Sequence, residues 1–204
     1  MSEGLLAAVA ALGCLSAAAS TAIAVLAVRR ARRTTSAPAP DPFHDPDADV
    51  LRGDPRTLKP GDLVEINGRT YAVRGSLRFT EGSWTWSEHL LDNPEGQRVW
   101  LSVEQNPDLE LVLWTQVPSA TVRPDEPTVD FDGRRYTRQE SGRARFTGTG
   151  ATGLDPSGAV EYHDYTAPDG PLLAFERFGD SDRWEVGRGE RLHRAQVRIF
   201  QQAG

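Results

Sequence analysis

From residue 58 onward, apolar side chains recur at every second position in short runs separated by turn residues, which is the period of a strand with one buried face. Val99, Leu101 and Val103 alternate with Trp100, Ser102 and Glu104, and Leu109, Leu111 and Leu113 alternate with Glu110, Val112 and Trp114. Pro60 and Gly61 mark a turn before Leu63–Ile66, and Asn67-Gly68 then fits a two-residue type I′ hairpin leading into Tyr71–Val73. "RLHRAQVRIF" alternates around Leu192, Val197 and Ile199 and is expected to be one closing strand. No stretch beyond residue 58 keeps a helical period for three turns, so this part of the chain is expected to be mainly β.

The pattern is written twice. "INGRTY" at 66–71 returns as "FDGRRY" at 131–136, and "RFT" at 78–80 returns at 145–147. His89, Pro94 and Gly96 return as His163, Pro168 and Gly170. The matches are collinear, and their offset grows from 65 to 67 to 74, as small insertions in a duplicated unit would produce. One antiparallel sheet alone leaves an apolar face and two open edges, which a second copy can cover or help close. The expectation is a duplicated antiparallel unit, residues 58–122 and 123–204, packed as one sandwich-like or barrel-like body of about ten strands.

The N-terminal pattern is different. Residues 4–28 are uncharged and largely apolar, long enough as a helix to cross the about 30 Å hydrocarbon core of a bilayer. Arg29, Arg30, Arg32 and Arg33 follow directly, with only Glu3 ahead of the segment. Basic clusters stay on the cytoplasmic side, so residues 1–33 are expected to form a single-pass anchor in the cell membrane, N-terminus outside and the C-terminal domain cytoplasmic. Residues 34–57 are rich in proline and aspartate and are expected to be a disordered tether. Asp45, Asp47 and Asp49 have the spacing of a calcium loop, but Val50 and Arg56 stand where its glycine and glutamate belong.

Composition narrows the chemistry. The only cysteine, Cys14, lies in the apolar segment, which removes a disulfide framework and a thiol nucleophile from the β region. Residues beyond 33 hold 19 basic against 28 acidic side chains, a balance that disfavours nucleic acid as a partner. No catalytic constellation, metal spacing, phosphate loop or cofactor fingerprint is present, and no cofactor is expected. His89 and His163, at equivalent positions of the repeat and near Glu88, Asp92 and Asp164, read first as structural histidines, with acid–base chemistry as the sharper alternative. Trp84 and Trp86 share one strand face, and Trp184 lies further along the chain. In an acidic domain these tryptophans could form a pocket for a cation, although core packing is the more common role of such side chains.

The stretch "LKPGDLVEINGRTYAVRGSLRFTEGSWTWSEHLL", followed by "VWLSVEQ" and "LELVLW", resembles a bacterial, actinobacterial-type family known only as a domain of unknown function, over roughly residues 58–200. The resemblance implies β-rich, often duplicated modules, some encoded near membrane proteins that resemble polyamine aminopropyltransferases or near membrane-stress proteins, and it carries no catalytic residues. The leading expectation is a membrane-anchored binding or scaffolding module for membrane-protein partners, touching the bilayer through residues 4–28. The alternative is a sensor of a small cationic ligand such as a polyamine, with Trp84, Trp86, His89, His163 and Trp184 as contacts. An enzyme using His89 and His163 ranks third.

Overall fold

In a computed structural model that describes residues 48–118 and 120–202, the alternation becomes eleven strands. They are β1 (Leu63–Ile66), β2 (Arg69–Glu81), β3 (Trp84–Leu91), β4 (Val99–Gln105), β5 (Leu109–Gln116), β6 (Thr128–Phe131), β7 (Arg134–Gly150), β8 (Ser157–Thr166), β9 (Leu172–Phe178), β10 (Glu185–Leu192) and β11 (Val197–Phe200). Both hairpins predicted from their turn residues form. Asn67 and Gly68 have φ of 52° and 79°, and Asp132 and Gly133 have 51° and 74°, the left-handed pair a type I′ turn requires.

Every neighbour pair is antiparallel, in the order β11-β1-β2-β3-β4-β5-β10-β9-β8-β7-β6. The second half of β2 also pairs with the end of β7, from Gly75 opposite Gly150 to Thr80 opposite Arg145. That contact closes eight strands, β2-β3-β4-β5-β10-β9-β8-β7, into a ring, while β1, β11 and β6 extend from its rim. An eight-stranded ring encloses a lumen that side chains can fill or that can hold one small ligand. The long strands β2 and β7 each serve twice: their first residues carry an outer hairpin and their last residues close the ring. Register shifts between Val73 and Gly75 and between Arg138 and Glu140 mark the change of role.

Three apolar clusters follow. One lies under β1 and β11 and joins Val64, Ile66, Val73, Leu101, Leu111 and Val197. A second gathers Val129, Tyr136, Tyr165, Leu173 and Phe175 in the other half, and a third, with Leu77, Phe79, Ala144, Phe146 and Val160, sits inside the ring. Each such side chain removed from water contributes about 1.5–3 kcal/mol. Asp62, fully covered although close under the surface, ties the chain end to β1 by accepting hydrogen bonds from Lys59 N (3.0 Å), Lys59 Nζ (2.7 Å) and Gln202 N (2.9 Å).

Two expectations need correction. Residues 48–57, assigned to the tether, instead form a short helix, Ala48–Arg52, and a 3-10 turn, Pro55–Thr57. Asp49 holds them there by pairing with Arg56 and with Arg194 (3.0 Å), and Arg194 also donates to the carbonyl of Gly53. The closing segment is two strands, because a 3-10 turn at Arg194–Gln196 reverses the chain after β10, and β11 then pairs with β1 of the first half. Residues 4–28, Arg29, Arg30, Arg32 and Arg33 lie outside the described residues; among those described, no helix is long and apolar enough to cross a membrane.

Candidate functional site

Strand register decides which side chains face the lumen. One continuous row runs Gly148, Leu77, Glu88, Ser102, Val112, Arg191 from β7 to β10 through directly opposed pairs. Rows parallel to it run Phe146, Phe79, Trp86, Glu104 and Gly142, Tyr162, Glu176, Glu185. Contacts between strands that are not neighbours place this face inside. Trp86 of β3 meets Tyr162 of β8 edge to face at 5.7 Å, and the Tyr162 hydroxyl donates to Glu81 Oε2 of β2 at 2.6 Å.

The inner wall contributed by β3, β4 and β5 interleaves four tryptophans with the carboxylates of Glu88, Glu104 and Glu110. Trp84, Trp86, Trp100 and Trp114 share it, Trp86 stacks on Phe79 at 4.9 Å, and the Trp114 indole N–H donates to Ser102 Oγ at 3.1 Å. The wall contributed by β7 to β10 is acidic. Glu140 stands opposite Asp164, and Glu176 opposite Glu185. Between them Asp164 and Glu176 have no hydrogen-bond or ion-pair partner among the described residues. Both are half-buried, yet ringed by protein, so the surface they keep is turned to the lumen.

Electrostatics follows from enclosure. Burial pushes the Asp164 carboxyl up to about 8, reinforced by the charges of Glu140, Glu88, Glu104 and Glu110. Glu176 is held well above the usual carboxylate range by burial and then by Glu88, Asp164 and Glu185. Burial also raises Glu88, which accepts one hydrogen bond from the Trp86 side chain. Carboxylates on different strands of the ring therefore raise one another, and a cation placed among them would relieve burial and repulsion together.

The sequence-predicted contacts divide between the two faces of the sheet. Trp84 and Trp86 line the lumen. His89 and His163 alternate with them in register and point outward. His89 is 3% exposed, lies 2.8 Å from Ser76 Oγ through Nδ1, and is lowered to about 4 by burial and by the Arg78 charge. His163 packs against Trp184 at 5.1 Å with Arg138 3.3 Å from its Nδ1, and Arg177 covers Trp184 at 4.7 Å. Among the described residues no group of three or more acidic, histidine or cysteine side chains is arranged to hold a metal. Sequence reasoning did not single out Trp100, Trp114 and Glu176 as site residues. Their common signal was parity: each stands two or four positions from another inward aromatic or acidic side chain on a strand whose opposite face is apolar.

A profile described as a domain of unknown function (DUF4178) matches residues 59–194. The chain belongs to the DUF4178 family. Uncharacterized proteins of Mycobacterium tuberculosis (Rv2597) and Mycobacterium bovis (Mb2628) are each 34% identical to it over 152 residues, covering 72% of this chain and 73% of theirs. No solved structure matches. The DUF4178 match spans β1 to β10, so it includes every strand of the ring and both walls of the lumen.

Proposed function

We propose that this DUF4178 domain is a binding module that takes a small cationic ligand into the lumen of its β ring. One observation carries the reading: two enclosed carboxylates without partners, Asp164 and Glu176, share a lumen with the tryptophans of the opposite wall. Carboxylates supply charge, and indole faces supply cation–π attraction worth about 0.5–2 kcal/mol when desolvated. Membrane anchorage through residues 4–28, cytoplasmic display and service to membrane-protein partners belong to the same reading and rest on sequence alone. So does descent of β1–β5 and β6–β10 from one duplicated unit, which is supported by the repeated turn motifs and by the mirrored strand order.

Isothermal titration of the 204-residue chain with spermidine tests the proposal. Saturable heat and a change in tryptophan emission are expected, both weakened by Trp86→Ala or Trp100→Ala. Absence of binding at millimolar ligand overturns it.

A further inference from the structure

We infer that the outer face of the ring seam, where β2, β7 and β8 lie side by side, is a docking surface for an anionic lipid bilayer, with Arg78, Arg143 and Arg145 taking the lipid phosphates. This surface lies on the opposite face of the sheet from the lumen, and it depends on anchorage through residues 4–28 only for being brought near a bilayer.

Phe79 and Phe146 point into the ring, so their neighbours in sequence point out. Arg78 stands opposite Thr147, Thr80 opposite Arg145, and Arg143 opposite Glu161, which is itself opposite Arg177. Arg78 and Arg145 are therefore diagonal neighbours, about 7–8 Å apart along the backbone, and Arg143 follows two positions away on the same face. All three side chains are exposed. Glu161 is the one carboxylate at the outward positions of residues 76–80, 141–149 and 157–161, and Arg143 (3.4 Å) and Arg177 (2.5 Å) already share it. Arg78 and Arg145 have no hydrogen-bond or ion-pair partner among the described residues. Beyond residue 33 acidic side chains outnumber basic ones by 28 to 19, so a negatively charged plane attracts this face, repels the remainder and orients the domain. The other outward positions of the patch are serine, threonine and Ala159. Guanidinium groups and hydroxyls suit phosphate oxygens, whereas a protein partner would find no large apolar or aromatic anchor here. Residues 34–47, between the basic flank and the described residues, span at most about 50 Å, so a domain anchored through residues 4–28 stays within that distance of the headgroups.

The full chain mixed with vesicles of phosphatidylcholine, with or without phosphatidylglycerol, tests the surface through arginine modification by p-hydroxyphenylglyoxal, read by mass spectrometry. Phosphatidylglycerol is expected to slow modification of Arg78 and Arg145 by at least about fivefold, an effect that added salt reverses. Arg69 and Arg134, which pair with Glu95 and Asp169, should be unaffected. The double variant Arg78→Gln, Arg145→Gln changes only exposed side chains and should lose the protection of Arg143; circular dichroism checks its fold. Equal modification in both kinds of vesicle, or protection that extends equally to Arg69 and Arg134, overturns the inference. Poly-glutamate or a DNA duplex that protects as well as phosphatidylglycerol overturns the assignment to lipid. Flotation with pure phosphatidylcholine reads anchorage separately: a chain that floats without selective protection keeps its anchor and loses the docking face, and one that is protected only by phosphatidylglycerol without floating on phosphatidylcholine keeps the docking face and loses the anchor.

Discussion

At the inward positions of β3, β4 and β5 stand Trp84, Trp86, Trp100 and Trp114 with Glu88, Glu104 and Glu110; at those of β8, β9 and β10 stand Ala174, Gly187 and Gly189 with Asp164, Glu176 and Glu185. The strand framework of the two halves is nearly the same, five consecutive antiparallel neighbours joined through β2–β7 and β5–β10. What differs is the size of what each half points inward beside its carboxylates. Interiors are close-packed, so bulk on one wall requires relief on the other. Trp114 and Gly189, directly opposed in β5 and β10, are the clearest instance. The outer faces differ as well: β11 covers β1 in the first half, whereas β6 has no second neighbour among the described strands.

The complementarity of the walls is most exposed at Gly189. A Cβ there would stand 2.6 Å from Cε3 of Trp114, whose indole is held by its hydrogen bond to Ser102. Gly189→Val should destabilise the domain by about 3 kcal/mol, read as a fall in thermal midpoint. At Gly187 a Cβ would meet the same ring at 3.6 Å, an ordinary contact, so Gly187→Ala should shift stability by no more than about 0.5 kcal/mol. Equal effects at the two glycines would show that Trp114 is free to move and that the walls are not fitted to each other.

Much of the framework was legible because its causes are local. Asn-Gly and Asp-Gly fix the two outer hairpins, and the alternation through Val99–Val103 fixes which face of β4 meets the outer core. The ring was not legible, since closure depends on β2 and β7 being long enough to pair beyond their own hairpins, a contact between residues about seventy positions apart in sequence. The candidate site was half legible for the same reason. Trp84 and Trp86 were selected correctly as a shared face, but His89 and His163 were grouped with them because sequence proximity conceals the one-residue step that sends a side chain to the other face. Glu176 carries no local signal and becomes notable only when Asp164 and Glu88 are brought beside it. Residues 48–57 looked like tether because their anchor, Arg194, lies at the far end of the chain.

Enclosure of Asp164 predicts a pH response that wild type has and an Asp164→Asn variant lacks. An unfolded aspartate loses its proton near about pH 4. Folded Asp164 keeps its proton up to about 8. Between those values the folded chain holds a proton that the unfolded chain has released, so this residue lowers stability as pH rises through the window and has no further effect above it. Asp164→Asn removes the slope. The variant should match wild type near about pH 4 and exceed it by on the order of 2 kcal/mol near about pH 9, measured by urea unfolding at both values. Glu88→Gln in the aromatic half should gain less, because the Trp86 hydrogen bond already offsets part of the burial of Glu88. A larger gain at Glu88 than at Asp164 would show that the Trp86 hydrogen bond does not offset the burial of Glu88.

The smallest effect tests whether the frames themselves are alike. Gly68 and Gly133 close equivalent hairpins at φ of 79° and 74°, and in each case a Cβ would meet no atom within 4 Å. Alanine at either position therefore costs only the left-handed backbone, about 1 kcal/mol. The β1–β2 hairpin is covered on its outer side by β11 and the β6–β7 hairpin is not, yet neither turn touches that cover through its glycine. The two single variants should lose equal stability, and the double variant should lose their sum, because the sites share no partner. A cost at Gly68 well above that at Gly133 would mean that β11 makes the first hairpin more rigid than the second, and the halves would then differ in frame as well as in lining.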